Sequence, residues 1–199
     1  MVSYLLSKYV WGSREQERQR GALSGLCEEL GLNLVEAKGL KPDQVVGEFK
    51  GWPVSVDYHQ VFIGLGGAQN LTRFTVYYGL PVDFRFIINH GRTWRHPKRK
   101  RLAFQTSGSD MENNYHMDTN DESLFRQFLG HGASRELLRS RMPVRLQGGE
   151  HNGDRHSRLD YHVTNFLYET QALKTNLEKL VDVINHMRDV GLAQAVDAG

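Results

Sequence analysis

The stretch VSVDYHQVFIGLGGAQNLTRFTVYYGLPVDFRFII, Val54 to Ile88, decides the fold. Apolar and polar residues alternate through Val54, Val56 and Tyr58, through Phe74, Val76 and Tyr78, and through Phe84, Phe86 and Ile88. Successive side chains of a strand point to opposite faces, so this period of two predicts three strands, each with one face in a core. Gly64 to Asn70 and Leu80-Pro81 read as the turns between them. Upstream, Leu32 to Ala37 and Gln44 to Phe49 are shorter strand candidates, with Lys50-Gly51 a tight turn before Pro53. Strands joined by short turns imply a meander with mostly antiparallel pairing.

Outward from this stretch the period changes. From about Arg14 a polar run leads into Leu23, Leu26, Cys27 and Leu30, a helical stripe that Gly31 ends. Leu173, Leu177, Leu180, Val181, Ile184 and Met187 predict a long amphipathic C-terminal helix closed by Gly191. In between, Asn120 or Asp121 caps a helix carrying Leu124, Phe125, Phe128 and Leu129, and Ser134 caps a short one through Leu137 and Leu138. Pro143 starts a strand with Val144 and Leu146; Leu159, Tyr161 and Val163 make the last. The fold class is α+β: a mostly antiparallel meander with an N-terminal helix, two short middle helices and a long C-terminal helix packed on one face. Residues 1–13 read as an apolar arm, 14–191 as a single domain and 192–199 as a flexible tail.

Gly47 to Val56, GEFKGWPVSV, resembles the hairpin pattern G-x-aromatic-x-G-x-x-V-x-V of a widespread, uncharacterised class of bacterial α+β domains. The Thr-rich strand Thr72 to Tyr78, the acidic turn Asp121 to Phe125 and the long terminal helix follow that class in order; Asn120 stands where its members have glycine. The resemblance covers roughly 30–188 and implies the fold, with no activity or site to carry over.

A single cysteine, Cys27, excludes an internal disulfide, and its place among Leu23, Leu26 and Leu30 makes it a core residue rather than a nucleophile. No run of about eighteen apolar residues is present, and the start lacks a basic region and a cleavage site, so a cytoplasmic protein is expected.

Charge is the sharpest lead. Arg92 to Arg101, RTWRHPKRKR, holds six Lys and Arg and no acid, more positive charge than the whole chain's net of +2. The basic character is therefore local, the footprint of an anion. Pro97 keeps the segment from being a helix interior. Arg92, Arg95, Lys98, Arg99, Lys100 and Arg101 supply cations, and Trp94 and His96 supply flat surfaces for an interface anchor or a stacked base. Against this stands an acidic neighbour, Asp110, Glu112, Asp118, Asp121 and Glu122, able to neutralise the segment from within. A second positive region uses arginine alone: Arg126, Arg135, Arg139, Arg141, Arg145, Arg155 and Arg158.

His151, Asp154 and His156, with His162 beyond, could offer imidazole and carboxylate ligands to a metal, although Arg155 sits inside the group and the spacing matches no established ligand pattern. Gly64-Leu65-Gly66-Gly67 lacks the following helix and Lys-Ser/Thr pair of a phosphate loop. No nucleophile elbow is present. These observations point to a non-enzymatic binding or assembly domain without a cofactor, engaging an acidic protein or anionic surface through 92–101. One alternative is a nucleic-acid-binding module using the same segment. Another is a small metal-dependent hydrolase built on His151, Asp154, His156 and His162. The apolar arm or the C-terminal helix offers a further contact, between copies of the chain.

Overall fold

Alternation puts an apolar face on every central strand, and antiparallel pairing aligns those faces into one row. Val45, Val56, Phe74, Tyr161, Leu146, Ile88 and Met117 are successive cross-strand neighbours. The computed structural model describes residues 2–36, 42–63, 67–90, 115–130, 132–138, 144–150 and 156–196. Within them the strands are β1 (Asn33–Val35), β2 (Gln44–Phe49), β3 (Trp52–Ile63), β4 (Gly67–Tyr78), β5 (Phe86–His90), β6 (Tyr115–Thr119), β7 (Val144–Gly149) and β8 (Ser157–Thr164). They form one eight-stranded sheet in the order β1-β2-β3-β4-β8-β7-β5-β6, with every ladder antiparallel.

The helices cover the apolar face. The N-terminal helix (Val2–Leu30) buries Ala22, Leu23 and Leu26; the C-terminal helix (Thr170–Asp189) buries Leu173, Leu177, Leu180, Val181, Ile184 and Met187. Their contact is close at Gly25, where a Cβ would lie 2.5 Å from Thr170 Oγ1. Two short helices, Glu122–Gly130 and Gly132–Leu138, pack over β5 and β6. Phe125 and Phe128 meet Phe86, at 5.8 and 4.5 Å between ring centroids, and the Tyr115 hydroxyl donates to the Leu138 carbonyl. Trp52 Nε1 donates to Asn185 Oδ1 at 3.0 Å, tying β3 to the C-terminal helix. Cys27 is half-buried against this core, and burial pushes its thiol pKa up.

The α+β class, the antiparallel sheet and the placement of the helices agree with the sequence reading. Lys50 (φ 51°) and Gly51 (φ 82°) form the tight β2–β3 turn, both with the positive φ such a hairpin requires.

The connection order differs. The meander stops at β4, whose far edge is taken by β8 rather than β5, because Phe74, Val76 and Thr72 find their apolar partners in Tyr161, Leu159 and Val163. The Leu80-Pro81 turn is thus part of a crossing past β8 and β7. β6 lacks an alternation strong enough to be seen in sequence, and it exists through pairing with β5. Strand β4 starts at Gly67, so the turn expected over Gly64 to Asn70 is shorter.

The N-terminal helix begins at Val2, well before Arg14, where the helical reading of the sequence starts. Ser134 lies inside a helix, buried, rather than capping one; Asp121 does cap, its Oδ1 accepting from Leu124 N at 3.0 Å. The tail is held at its start. Leu192 and Ala193 are buried, and Gly79 and Gln194 exchange two backbone hydrogen bonds of 2.8 and 3.0 Å, so apolar contact and a bridge to the end of β4 replace the expected fraying.

Leu180→Ala should destabilise the protein by about 2–5 kcal/mol through loss of burial and a residual cavity, against less than about 1 kcal/mol for exposed Arg126→Ala. Urea unfolding midpoints measure both.

Candidate functional site: the polar face of the sheet

The register that aligns the apolar row aligns a polar one on the opposite face, one residue along each strand. Asp57, Arg73, His162, Arg145 and Asn89 are cross-strand neighbours on the face away from the described helices. A second row follows: Ser55, Thr75, Asp160, Gln147, Ile87 and Asp118. Ser55, Asp57, Thr75 and Asp160 are only 1% to 3% exposed, so these are dry polar groups that need partners.

Most have them. Arg73 donates to Asp57 Oδ2 through Nε (3.1 Å) and Nη2 (2.5 Å), while His59 Nδ1 lies 3.5 Å from Asp57 Oδ1. Asp160 accepts from Thr75 Oγ1 at 2.7 Å and from Gln147 Nε2 at 2.8 Å, with Arg158 Nε 2.9 Å away. Arg145 Nη2 donates to Gln147 Oε1 at 2.7 Å. Burial alone would raise the Asp57 pKa, but His59 and Arg73 outweigh it and hold the carboxyl below its ordinary range. For Arg73, the pull of Asp57 overcomes burial and raises the pKa. For Arg145 burial wins over Asp160, and its pKa is lowered.

Exceptions are Asn89 Oδ1 and, at both nitrogens of its ring, His162. Both ring nitrogens are shielded from solvent and have no hydrogen-bond partner, so the residue's remaining exposure lies on its other atoms. Its ring meets that of His59 in a T-shaped contact, 5.3 Å between centroids. Burial, then the neighbouring His59, Arg145 and Arg73, pushes its pKa well below the ordinary imidazole value, which keeps it neutral. Toward one end of the same face Arg85, Asp118, Arg145, Gln147, Gly149 and Arg158 help line a recess of about 530 Å³.

The basic segment lies outside the described residues, including Arg92, Trp94, Arg95, His96, Lys98, Arg99, Lys100 and Arg101. It belongs to the connection between β5 and β6, which leaves β5 one residue after Asn89 and rejoins β6 one residue before His116. Its acidic neighbours are partly committed elsewhere: Asp121 caps a helix and Glu122 pairs with Arg126 at 2.7 Å. Of the second arginine group, Arg145 and Arg158 reach the polar face, whereas Arg126 and Arg135 (to the Leu129 carbonyl, 2.9 Å) serve the short helices.

His151 and Asp154 lie outside the described residues. His156 immediately precedes β8 and His162 lies near its far end, about 20 Å away at strand rise, too far to share one ion. Among the described residues no group of three or more His, Cys, Asp or Glu is arranged to hold a metal, and no helix is long and apolar enough to cross a membrane. Sequence reasoning missed Asp57, His59, Arg73 and Asp160. Their signal was present as the polar halves of the alternating strands, but the partners come from strands remote in sequence. The chain matches no family model, no curated protein and no solved structure.

The pH dependence follows. His162 stays neutral when folded, so below its unfolded pKa of about 6.5 the unfolded chain binds a proton that the fold refuses, and stability falls with pH. Asp57, with its lowered pKa, adds stability above its unfolded value that is lost as pH drops through the folded one. His162→Phe should remove a slope approaching about 1.4 kcal/mol per pH unit as pH falls below about 6.5, leaving the limb due to Asp57 intact. Urea titrations across that range test it.

Proposed function

We propose that this protein is a non-enzymatic binding domain whose sheet face opposite the described helices acts with the basic segment to engage an acidic protein partner. One observation carries the reading: the cross-strand register places Arg73, His162 and Arg145 in a row that ends at the base of the connection containing Arg92 to Arg101. Two sources of positive charge, remote in sequence, thereby adjoin in the chain's connectivity, and aligned positive charge steers association with acidic surfaces. Arginine supplies planar, bidentate recognition of carboxylates, and Trp94 adds a residue type common at interface hot spots.

The face also interleaves Asp57, Asp118, Glu150 and Asp160 among its cations. Mixed signs suit a protein surface with its own pattern of charges better than a uniform phosphodiester backbone. The nucleic-acid reading is therefore second, and the same experiment separates the two.

Fluorescence anisotropy with a labelled polyglutamate peptide, single- and double-stranded nucleic acid, and anionic vesicles across a salt series is the test. Polyglutamate should bind and weaken with salt. Replacing Lys98, Arg99, Lys100 and Arg101 by Ser should cost about fourfold or more, taking about 0.2–1 kcal/mol for each of the four charges. Tighter binding of nucleic acid or vesicles than of polyglutamate, or no binding of polyglutamate at low salt, overturns the proposal.

A further inference from the structure

We propose that the recess between the N-terminal helix and the start of the C-terminal helix binds a small aromatic zwitterion, of the class of a free aromatic α-amino acid. The recess lies between helices rather than on the polar face of the sheet, and its occupant needs nothing from the basic segment.

Three features carry it. The first is unfilled space. The two helices touch at Gly25, where a Cβ would lie 2.5 Å from Thr170 Oγ1, but one turn earlier a Cβ on Gly21 would meet no atom within 4 Å. Gly21 and Ala22 form one wall of a recess of about 590 Å³, with Phe166, Tyr168 and Thr170 opposite. That volume falls within the roughly 300–1,000 Å³ of small-molecule sites. Glycine weakens a helix interior relative to alanine, and no close approach requires it at position 21. Its effect there is to keep the recess open.

The second is charge of both signs. Arg18 and Glu169 line this same recess. Neither forms an ion pair, with the other or with any further residue. A simple anion would be drawn by Arg18 and repelled by Glu169, and a simple cation the reverse. A ligand carrying one carboxylate and one ammonium meets both.

The third is the aromatic wall. Phe166 and Tyr168 lie 6.2 Å apart between ring centroids, and Tyr58 packs against them at 5.3 and 6.5 Å. The Tyr168 hydroxyl donates to Glu15 Oε1 at 2.7 Å, which fixes the ring. The Arg18 guanidinium sits 4.5 Å from the Tyr168 centroid. Stacking in this way orients the planar fork of Arg18 in advance, while its N–H edge stays available to a carboxylate. The ligand's own ring then packs against Phe166 over Gly21, in the edge or offset contacts that aromatic rings favour. Its ammonium faces Glu169.

Calorimetric titration of the full chain with L-phenylalanine, phenethylamine, phenylacetate and glycine tests the site. Phenethylamine lacks the carboxylate, phenylacetate the ammonium and glycine the ring. Phenylalanine should bind about tenfold or more tightly than each of the other three, as expected for loss of a charge-assisted hydrogen bond or of a buried ring. Arg18→Gln should weaken phenylalanine but leave phenethylamine unchanged, and Glu169→Gln should weaken phenylalanine but leave phenylacetate unchanged. Gly21→Leu, which fills the recess, should abolish binding while keeping or raising the urea midpoint, because leucine favours helix. Arg18, Gly21 and Glu169 are all exposed, so these variants should fold. Arg126→Gln, on a short middle helix, should change nothing.

No binding of phenylalanine up to about 10 mM, equal binding of phenethylamine or phenylacetate, or unchanged affinity in Gly21→Leu overturns the inference. The Ser variant of 98–101 separates the two proposals: it should lose polyglutamate binding while keeping phenylalanine. Failure of phenylalanine alone removes this site and leaves the partner-binding reading in place.

Discussion

The pairing of β4 with β8 is the constraint on which the rest of the sheet depends. It joins an N-terminal meander to a C-terminal hairpin far away in sequence, so no turn enforces it and its closure entropy must be offset by what it buries. Phe74 against Tyr161 and Val76 against Leu159 supply that offset, each side chain buried on the helical face, at about 1.5–3 kcal/mol for a large apolar group. The same ladder leaves β5 to find its place beyond β7. A slip of one residue would turn the apolar row to solvent and bring Arg73 and His162 into the core, so the register is strongly specified.

Fixing the apolar row fixes the polar one, and the polar one is costly. Asp57 and Asp160 are almost fully buried, and each is compensated by an arginine and further hydrogen bonds rather than left alone. Buried ion pairs are commonly no better for stability than apolar residues of the same size. A sheet needing only to fold would be served by valine and threonine on that face, as edge-to-edge solvated sheets often are. The register gathers arginine, aspartate and histidine on one side of the sheet, and both ring nitrogens of His162 are buried there without a hydrogen-bond partner.

The fold was largely legible because its signals are local. Val54, Val56 and Tyr58, or Leu173, Leu177 and Leu180, announce strand and helix through spacing alone, and Lys50-Gly51 announces its turn. The site was legible only in part. Arg145, Arg158 and His162 stood out as residue types, but the first two seemed part of a diffuse arginine group and the third part of a loop cluster with His151, Asp154 and His156. Asp57, His59 and Arg73 read in the sequence only as the polar half of an alternating pattern. β6 was invisible for a related reason: Tyr115 to Thr119 becomes a strand by pairing with β5 rather than by its own alternation.

From its sequence alone the chain determined which segments are helix and which are strand, which face of each is apolar, and that its positive charge is concentrated between β5 and β6. Those properties depend on residues within a few positions of one another, where periodicity and turn chemistry act. Tertiary structure alone decided that β8 and β7 insert between β4 and β5, and hence that His162 lies between Arg73 and Arg145 beside His59. Strand order is a competition among edges for the best-matched apolar partner, settled by side chains about ninety residues apart, and no local pattern records its outcome.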